Sequence, residues 1–180
     1  MTNLELLSES ELHLRLKIDL SKPTALIALH PINLEFNNLK SIVVSLLQAL
    51  DNFNLQYIFT YPNIDSGSDT IINLFEEYVK NHPKNTILIK SLGQQNFLSL
   101  FKYVKMIIGN SSSGIVEAPS FNLPAINIGI RQKGRVFSNN IISCNYDISS
   151  IKEAINKGLN YKKRPKANPY GNGNSSILVK

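Results

Sequence analysis

The chain has 180 residues, 43% of them hydrophobic and 18% charged, which suits one soluble globular domain with a real core. Its formal net charge is +6 and it holds one cysteine, Cys144, which excludes an internal disulfide framework and fits a reducing compartment. No apolar run approaches the roughly 18 residues of a membrane span, and the acidic start MTNLELLSESELHL lacks the basic region and cleavage site of a secretory leader, so a cytoplasmic protein is expected.

In chain order, Leu4 to Asp19 reads as a helix, with Ser8 and Glu11 spaced as a capping box, and Ser21-Lys22-Pro23 breaks it. Thr24 to Leu29, TALIAL, is a buried strand, with His30-Pro31 at its carboxyl end. Leu34 to Asp51 carries Leu39, Ile42, Val43, Leu46, Leu47 and Leu50 on one helical stripe. Leu55 to Thr60 is a strand, Pro62 to Ser68 a loop, and Asp69 to Asn81 a helix. Thr86 to Ile89 is a strand, Gln94 to Lys102 a helix, and Val104 to Ile108 a strand whose Met106, Ile107 and Ile108 suit burial on both faces. Asn110 to Gly114 are small and polar, as in a tight turn. Ile115, Val116 and Ala118 start a helix that Pro119 limits. Leu123 to Ile128 is a further buried strand, Ile141 to Ser143 a short last strand, and Ser149 to Leu159 a last helix. Lys162, Lys163, Arg164 and Lys166 form a basic cluster without the interleaved aromatics that stack on bases. It reads as solvated surface or as a face toward another domain, and no nucleic-acid partner is expected.

Strands alternating with helices at this spacing predict a parallel, doubly wound, three-layer α/β sheet of Rossmann-like type with right-handed crossovers. Ligands of such sheets sit outside the carboxyl ends of the strands. That rule gathers His30, Asn63 with Asp65, Ser91 to Gln94, Asn110 to Gly114, and Arg131 to Arg135 along one rim. Backbone N–H groups at the start of a helix after Asn110 to Gly114 suit phosphate. A carboxylate at Glu117 suits a vicinal diol such as ribose. Imidazole at His30 can donate to phosphate or act as an acid, and Arg131 can neutralise a diphosphate. Each residue also has a plainer reading: Ser111 to Ser113 as helix caps, His30 as a turn residue, Asn63 and Asp65 as Asx-turn formers, and Arg131 as a surface cation. Three scattered histidines give no metal spacing, and neither metal nor cofactor is expected. Cys144 reads as a buried structural thiol.

Several segments together resemble a known family. They are His30-Pro31, Tyr61-Pro-Asn-Ile-Asp-Ser-Gly67, Ile108-Gly-Asn-Ser-Ser-Ser-Gly114 with Glu117-Ala-Pro119, Ile126-Asn-Ile-Gly129 with Arg131-Gln132 and Gly134-Arg135, and Asn168-Pro-Tyr-Gly-Asn-Gly-Asn174. In order and at matching intervals they look like the carboxyl-terminal half of the UDP-N-acetylglucosamine 2-epimerases. The Pro-Asn-Ile-Asp and Arg-Gln-x-Gly-Arg segments look most like the hydrolysing branch that supplies sialic and legionaminic acid pathways. The resemblance implies the carboxyl-terminal domain of a GT-B fold, with residues 1–23 an N-terminal helix and linker and residues 24–180 the UDP-binding domain. It implies that His30 contacts the diphosphate or assists its departure, and that Ser111 and Ser112, with Ser113, Gly114 and Arg131 around them, hold phosphate. Glu117 would take the ribose hydroxyls, and Asn63 would lie in the same cleft. In the hydrolysing enzymes UDP leaves by elimination across C1–C2, and water adds to the glycal to give an N-acetylmannosamine-type sugar.

Such enzymes also have an amino-terminal domain whose acidic residues handle the C2 proton, and nothing in this sequence matches it. The expectation is therefore a chain that binds UDP weakly alone and turns over little, as a truncated or split gene product. A separately encoded amino-terminal half and a homodimer are the partners this suggests. A GT-B glycosyltransferase donor domain and a non-catalytic UDP-binding remnant are the competing readings.

Overall fold

The computed structural model of the protein describes residues 4–32, 38–162 and 168–171. Its sheet has six strands in the order β3-β2-β1-β4-β5-β6. They are β1 Thr24–Ala28, β2 Gln56–Thr60, β3 Thr86–Ile89, β4 Met106–Gly109, β5 Ala125–Ile128 and β6 Ile141–Cys144. Every pairing is parallel. The helices are α1 Glu9–Leu16, α2 Leu39–Leu50, α3 Ser68–Asn81, α4 Gly93–Leu100, α5 Ser113–Val116 and α6 Ile148–Leu159, and a 3-10 turn at Ala118–Phe121 follows α5.

Alternation along the strands builds two cores, because successive side chains leave opposite faces of a sheet. Ala25, Ile27 and Leu29 pack with Val43 and Leu46 of α2, Phe75 of α3 and Ile151 of α6. Leu26 and Ala28 face the other way and pack with Leu12 of α1 and Leu98 and Leu100 of α4. Helices thus cover both faces, the expected three-layer Rossmann-like α/β sheet. This double cover is why TALIAL is apolar without alternation.

The element ends deviate where a local signal overrides periodicity. The helix expected from Leu4 begins only at Glu9, because Ser8 caps it: the Glu11 amide donates to Ser8 Oγ at 3.3 Å, and the Ser8 amide donates back to the Glu11 carboxylate at 2.8 Å. It stops at Lys17, whose φ of 54° leaves the right-handed region. Ahead of the cap, Leu7 is buried and its amide donates to Ser99 Oγ at 2.9 Å, which ties this stretch to α4. Of the helix expected over Leu34 to Asp51, α2 covers Leu39–Leu50, and residues 34–37 lie outside the described residues. So do Lys163, Arg164 and Lys166 of the basic cluster, and residues 172–180.

Candidate functional site

Chain order reverses between β1 and β4, the central pair of the sheet. Loops leaving such a switch point diverge and open a crevice at the carboxyl edge. Here the crevice is a cleft of about 510 Å³ whose lining includes His30, Asn63, Arg131 and the serines 111–113. Ser91 and Gln94 also line it, whereas the exposed Asp65 and Arg135 and the buried Asn110 and Gly114 of the expected rim do not.

His30 follows β1 and is held at both its backbone and its ring. The Asn63 amide donates to His30 Nδ1 at 3.0 Å, so the neutral ring carries its proton on Nε2. Burial pushes the His30 pKa down to about 4; the Arg131 guanidinium pushes the same way, and Asp65 opposes them. The imidazole is therefore a neutral hydrogen-bond donor near neutral pH rather than a cation.

The serine turn offers fewer amides than its composition suggests. The Asn110 amide donates to Ala28 O, the Gly114 amide to Ser111 O, and the Ser113 amide to Ser111 Oγ. Those of Ser111 and Ser112 have no acceptor among the described residues, and the three serines are half-buried. The helix they introduce, α5, is only four residues long, so its dipole is small. Individual N–H and O–H groups, not a macrodipole, are what this turn presents to an anion. Gly114 is buried and packs on β5, where an added Cβ would meet Ala125 Cβ at 3.1 Å.

Two cations flank the cleft. Arg131, just past β5, donates from Nη1 to the Asn110 carbonyl at 3.2 Å, which fixes its guanidinium beside the serine turn. Lys90 lies with Nζ 5.9 Å from the centroid of the Tyr61 ring. Lys90, Tyr61 and Phe97 line the cleft yet were not among the residues the sequence singled out as ligand contacts. Phe97 reads as one more apolar position of a helical stripe, and only the turn of α4 brings it to the cleft. Glu117 is half-buried, between α5 and the 3-10 turn, and lies outside the cleft lining. Its Oε2 is buried with no hydrogen-bond partner among the described residues, an acceptor in a place that disfavours an unpaired one.

The protein-family model described as UDP-N-acetylglucosamine 2-epimerase matches residues 2–180. The chain is 38% identical over 156 residues to the hydrolysing GDP/UDP-N,N'-diacetylbacillosamine 2-epimerase of Campylobacter jejuni, covering 86% of this chain and 40% of that protein. It is 36% identical over 162 residues to the hydrolysing UDP-N,N'-diacetylbacillosamine 2-epimerase of Legionella pneumophila, covering 90% of this chain and 42% of that protein. It thus spans about two fifths of the curated relatives' length. Among solved structures, the UDP-GlcNAc 2-epimerase of Methanocaldococcus jannaschii, in complex with UDP-GlcNAc and UDP, superposes with a TM-score of 0.71 at 20% identity, covering 96% of this chain and 47% of that one. That likeness establishes the fold as one Rossmann-like half of a GT-B arrangement, and the match over nearly all its length places this chain in the UDP-N-acetylglucosamine 2-epimerase family.

Proposed function

We propose that the chain is the UDP-holding carboxyl-terminal half of a hydrolysing UDP-sugar 2-epimerase. The observation that carries this is the convergence of His30, Asn63, the serine turn and Arg131 on one cleft at the β1/β4 switch point. A diphosphate there receives the His30 Nε2–H, the Ser111 and Ser112 amides and the Arg131 guanidinium. The base lies toward Leu92 and Phe97, an aromatic edge suited to stacking. The ribose hydroxyls donate to the half-buried Glu117, which follows the serine turn.

In the reaction, the bond from C1 to the diphosphate oxygen breaks as a base removes the C2 proton, leaving a glycal. Water then adds across the double bond, hydroxyl to C1 and proton to C2, to give the N-acetylmannosamine-type sugar and UDP. The residues of this chain stabilise charge gathering on the departing diphosphate, where oriented donors act most strongly. The proton transfer at C2, a step of the kind that contributes about 10²–10⁴-fold, falls to acidic groups of an amino-terminal half, in the same polypeptide or a separate one. The chain by itself binds UDP weakly and turns over little. The substrate is UDP-N-acetylglucosamine or a UDP-diacetamido sugar, in a cytoplasmic route to sialic or legionaminic acids, and the assembled enzyme is a homodimer.

Calorimetric titration with UDP, on the native chain and on Ser111→Ala and Glu117→Ala, tests the reading. Both variants are expected to bind at least several-fold more weakly. Equal affinity in all three would defeat the site, and absence of binding by the native chain at millimolar UDP would defeat the function. Release of the free sugar without an acceptor, once the amino-terminal half is supplied, separates this reaction from glycosyl transfer.

A further inference from the structure

Asn110 was read only as the first residue of a polar turn, yet it is 1% exposed and its side chain and peptide make five hydrogen bonds beside the cleft. Its Oδ1 accepts from the His30 amide at 2.7 Å, and its Nδ2 donates to the His30 carbonyl at 2.8 Å, across 80 positions of sequence. Its own amide donates to Ala28 O at 3.2 Å. Its carbonyl accepts from Gln132 Nε2 at 2.7 Å and from Arg131 Nη1 at 3.2 Å. The loops after β1, β4 and β5 therefore meet on one side chain and its peptide. Both side-chain polar atoms are engaged with the protein, which suits a residue that acts through another.

We propose that Asn110 is a positioning residue: its amide clamps the His30 backbone from both sides and sets where the ring's Nε2–H meets the diphosphate. The inference rests on the UDP reading above. Without the clamp, His30 keeps, among the described residues, only the bond from the exposed Asn63 loop to Nδ1, so the position of the ring relaxes while its tautomer is held. Among the described residues the charged groups acting on the ring are Arg131 and Asp65, and the Asn110 carbonyl also helps fix the first of them.

A double-mutant cycle gives a readout that a general loss of structure does not mimic. UDP affinity is measured on the native chain, Asn110→Ala, His30→Ala and the double variant. Loss of one charge-assisted hydrogen bond weakens UDP about tenfold in Asn110→Ala, and less than twofold once His30 is already alanine. A further tenfold loss in that background overturns the proposal. Nitrogen-15 NMR of the His30 ring reads the same claim without ligand. The native ring is protonated on Nε2 alone; in Asn110→Ala the ring signals move and broaden as its position relaxes, and the titration midpoint rises. An unchanged ring spectrum overturns the proposal. A native chain that fails to bind UDP refutes the function instead, and the positioning claim is then decided by the NMR arm. Asn110→Asp keeps the acceptor for the His30 amide and loses the donor to its carbonyl. It is expected to lie between native and alanine, and carries both measurements if Asn110→Ala does not fold.

Discussion

Substituting Gly109 with alanine tests how tightly the site is built into the sheet. Gly109 ends β4 with φ +142°, a region that L side chains rarely enter, and an added Cβ would lie 2.1 Å from Ala28 O and 2.5 Å from Ala28 C. Both atoms are backbone, and Ala28 is the residue paired with Gly109 across the β1–β4 ladder. No rotamer change relieves such a contact; the two strands must part at their carboxyl ends. Parting them forfeits the Asn110 amide bond to Ala28 O and loosens the two amide bonds between Asn110 and His30. With about 0.5–1.5 kcal/mol for each lost bond and about 1–3 kcal/mol for the backbone region, the cost is on the order of 3–5 kcal/mol. That is a large share of the roughly 5–15 kcal/mol that holds a domain together, and it lowers the melting temperature by about 10 °C. Gly93→Ala is the control, since Gly93 has φ +66° but nothing within 4 Å of the added carbon, and it should lose only about 1–2 kcal/mol. Urea unfolding followed by circular dichroism measures both. A Gly109→Ala variant within 1 kcal/mol of native, or a Gly93→Ala variant equally damaged, would refute the reasoning.

The His30 pKa, shifted from 6.5 to about 4, predicts a pH dependence. As pH falls through 6.5 the unfolded ring takes a proton that the folded ring refuses until about 4, so stability declines across that window. The decline is shallower in His30→Gln, and parallel stability–pH curves for the two would contradict the assignment. Cys144, its thiol pushed up to about 12 by burial and by Asp147, should resist iodoacetamide at neutral pH and react fully in denaturant; rapid native alkylation would show it to be accessible. Leu12 of α1 is fully buried in the core under β1 and α4, so Leu12→Ala costs about 2–5 kcal/mol. The N-terminal segment then melts with the sheet in one transition, and a separate early transition on calorimetry would show it to be a detachable linker.

What the sequence disclosed was whatever depends on neighbours in the chain. TALIAL and MIIG read as strands covered on both faces because no polar residue interrupts them. Ser8 and Glu11 were legible as a capping box, yet the helix was read from Leu4, ahead of the cap that starts it at Glu9. Pro119 marked how soon α5 must give way. What stayed hidden depends on partners far along the chain. Whether an amide in Asn110 to Gly114 is free depends on Ala28 O and on Ser111's own carbonyl and hydroxyl, so composition overstated the donors available. Phe97 and Lys90 belong to the cleft only because α4 and the end of β3 lie beside β1 through β2. The His30 tautomer is set by the Asn63 amide, 33 positions away, and no local motif reports it.

Under the proposed function, a cleft that holds a diphosphate gains from keeping His30 neutral. A second cation beside Arg131 at a half-buried position would be repelled before any ligand arrived, as the downward push of Arg131 on the ring records. Arg131 supplies fixed charge, with one donor anchored on the Asn110 carbonyl and, on that reading, the rest of its five N–H groups turned to phosphate. A neutral Nε2–H adds direction rather than charge: it gains strength as the leaving oxygen becomes more negative, and that difference between bound substrate and transition state is what accelerates a reaction. The hydrogen bonds that converge on Asn110 hold donor and cation at a fixed separation. Under the proposed function, this arrangement would stabilise departure of UDP by geometry set before the sugar arrives.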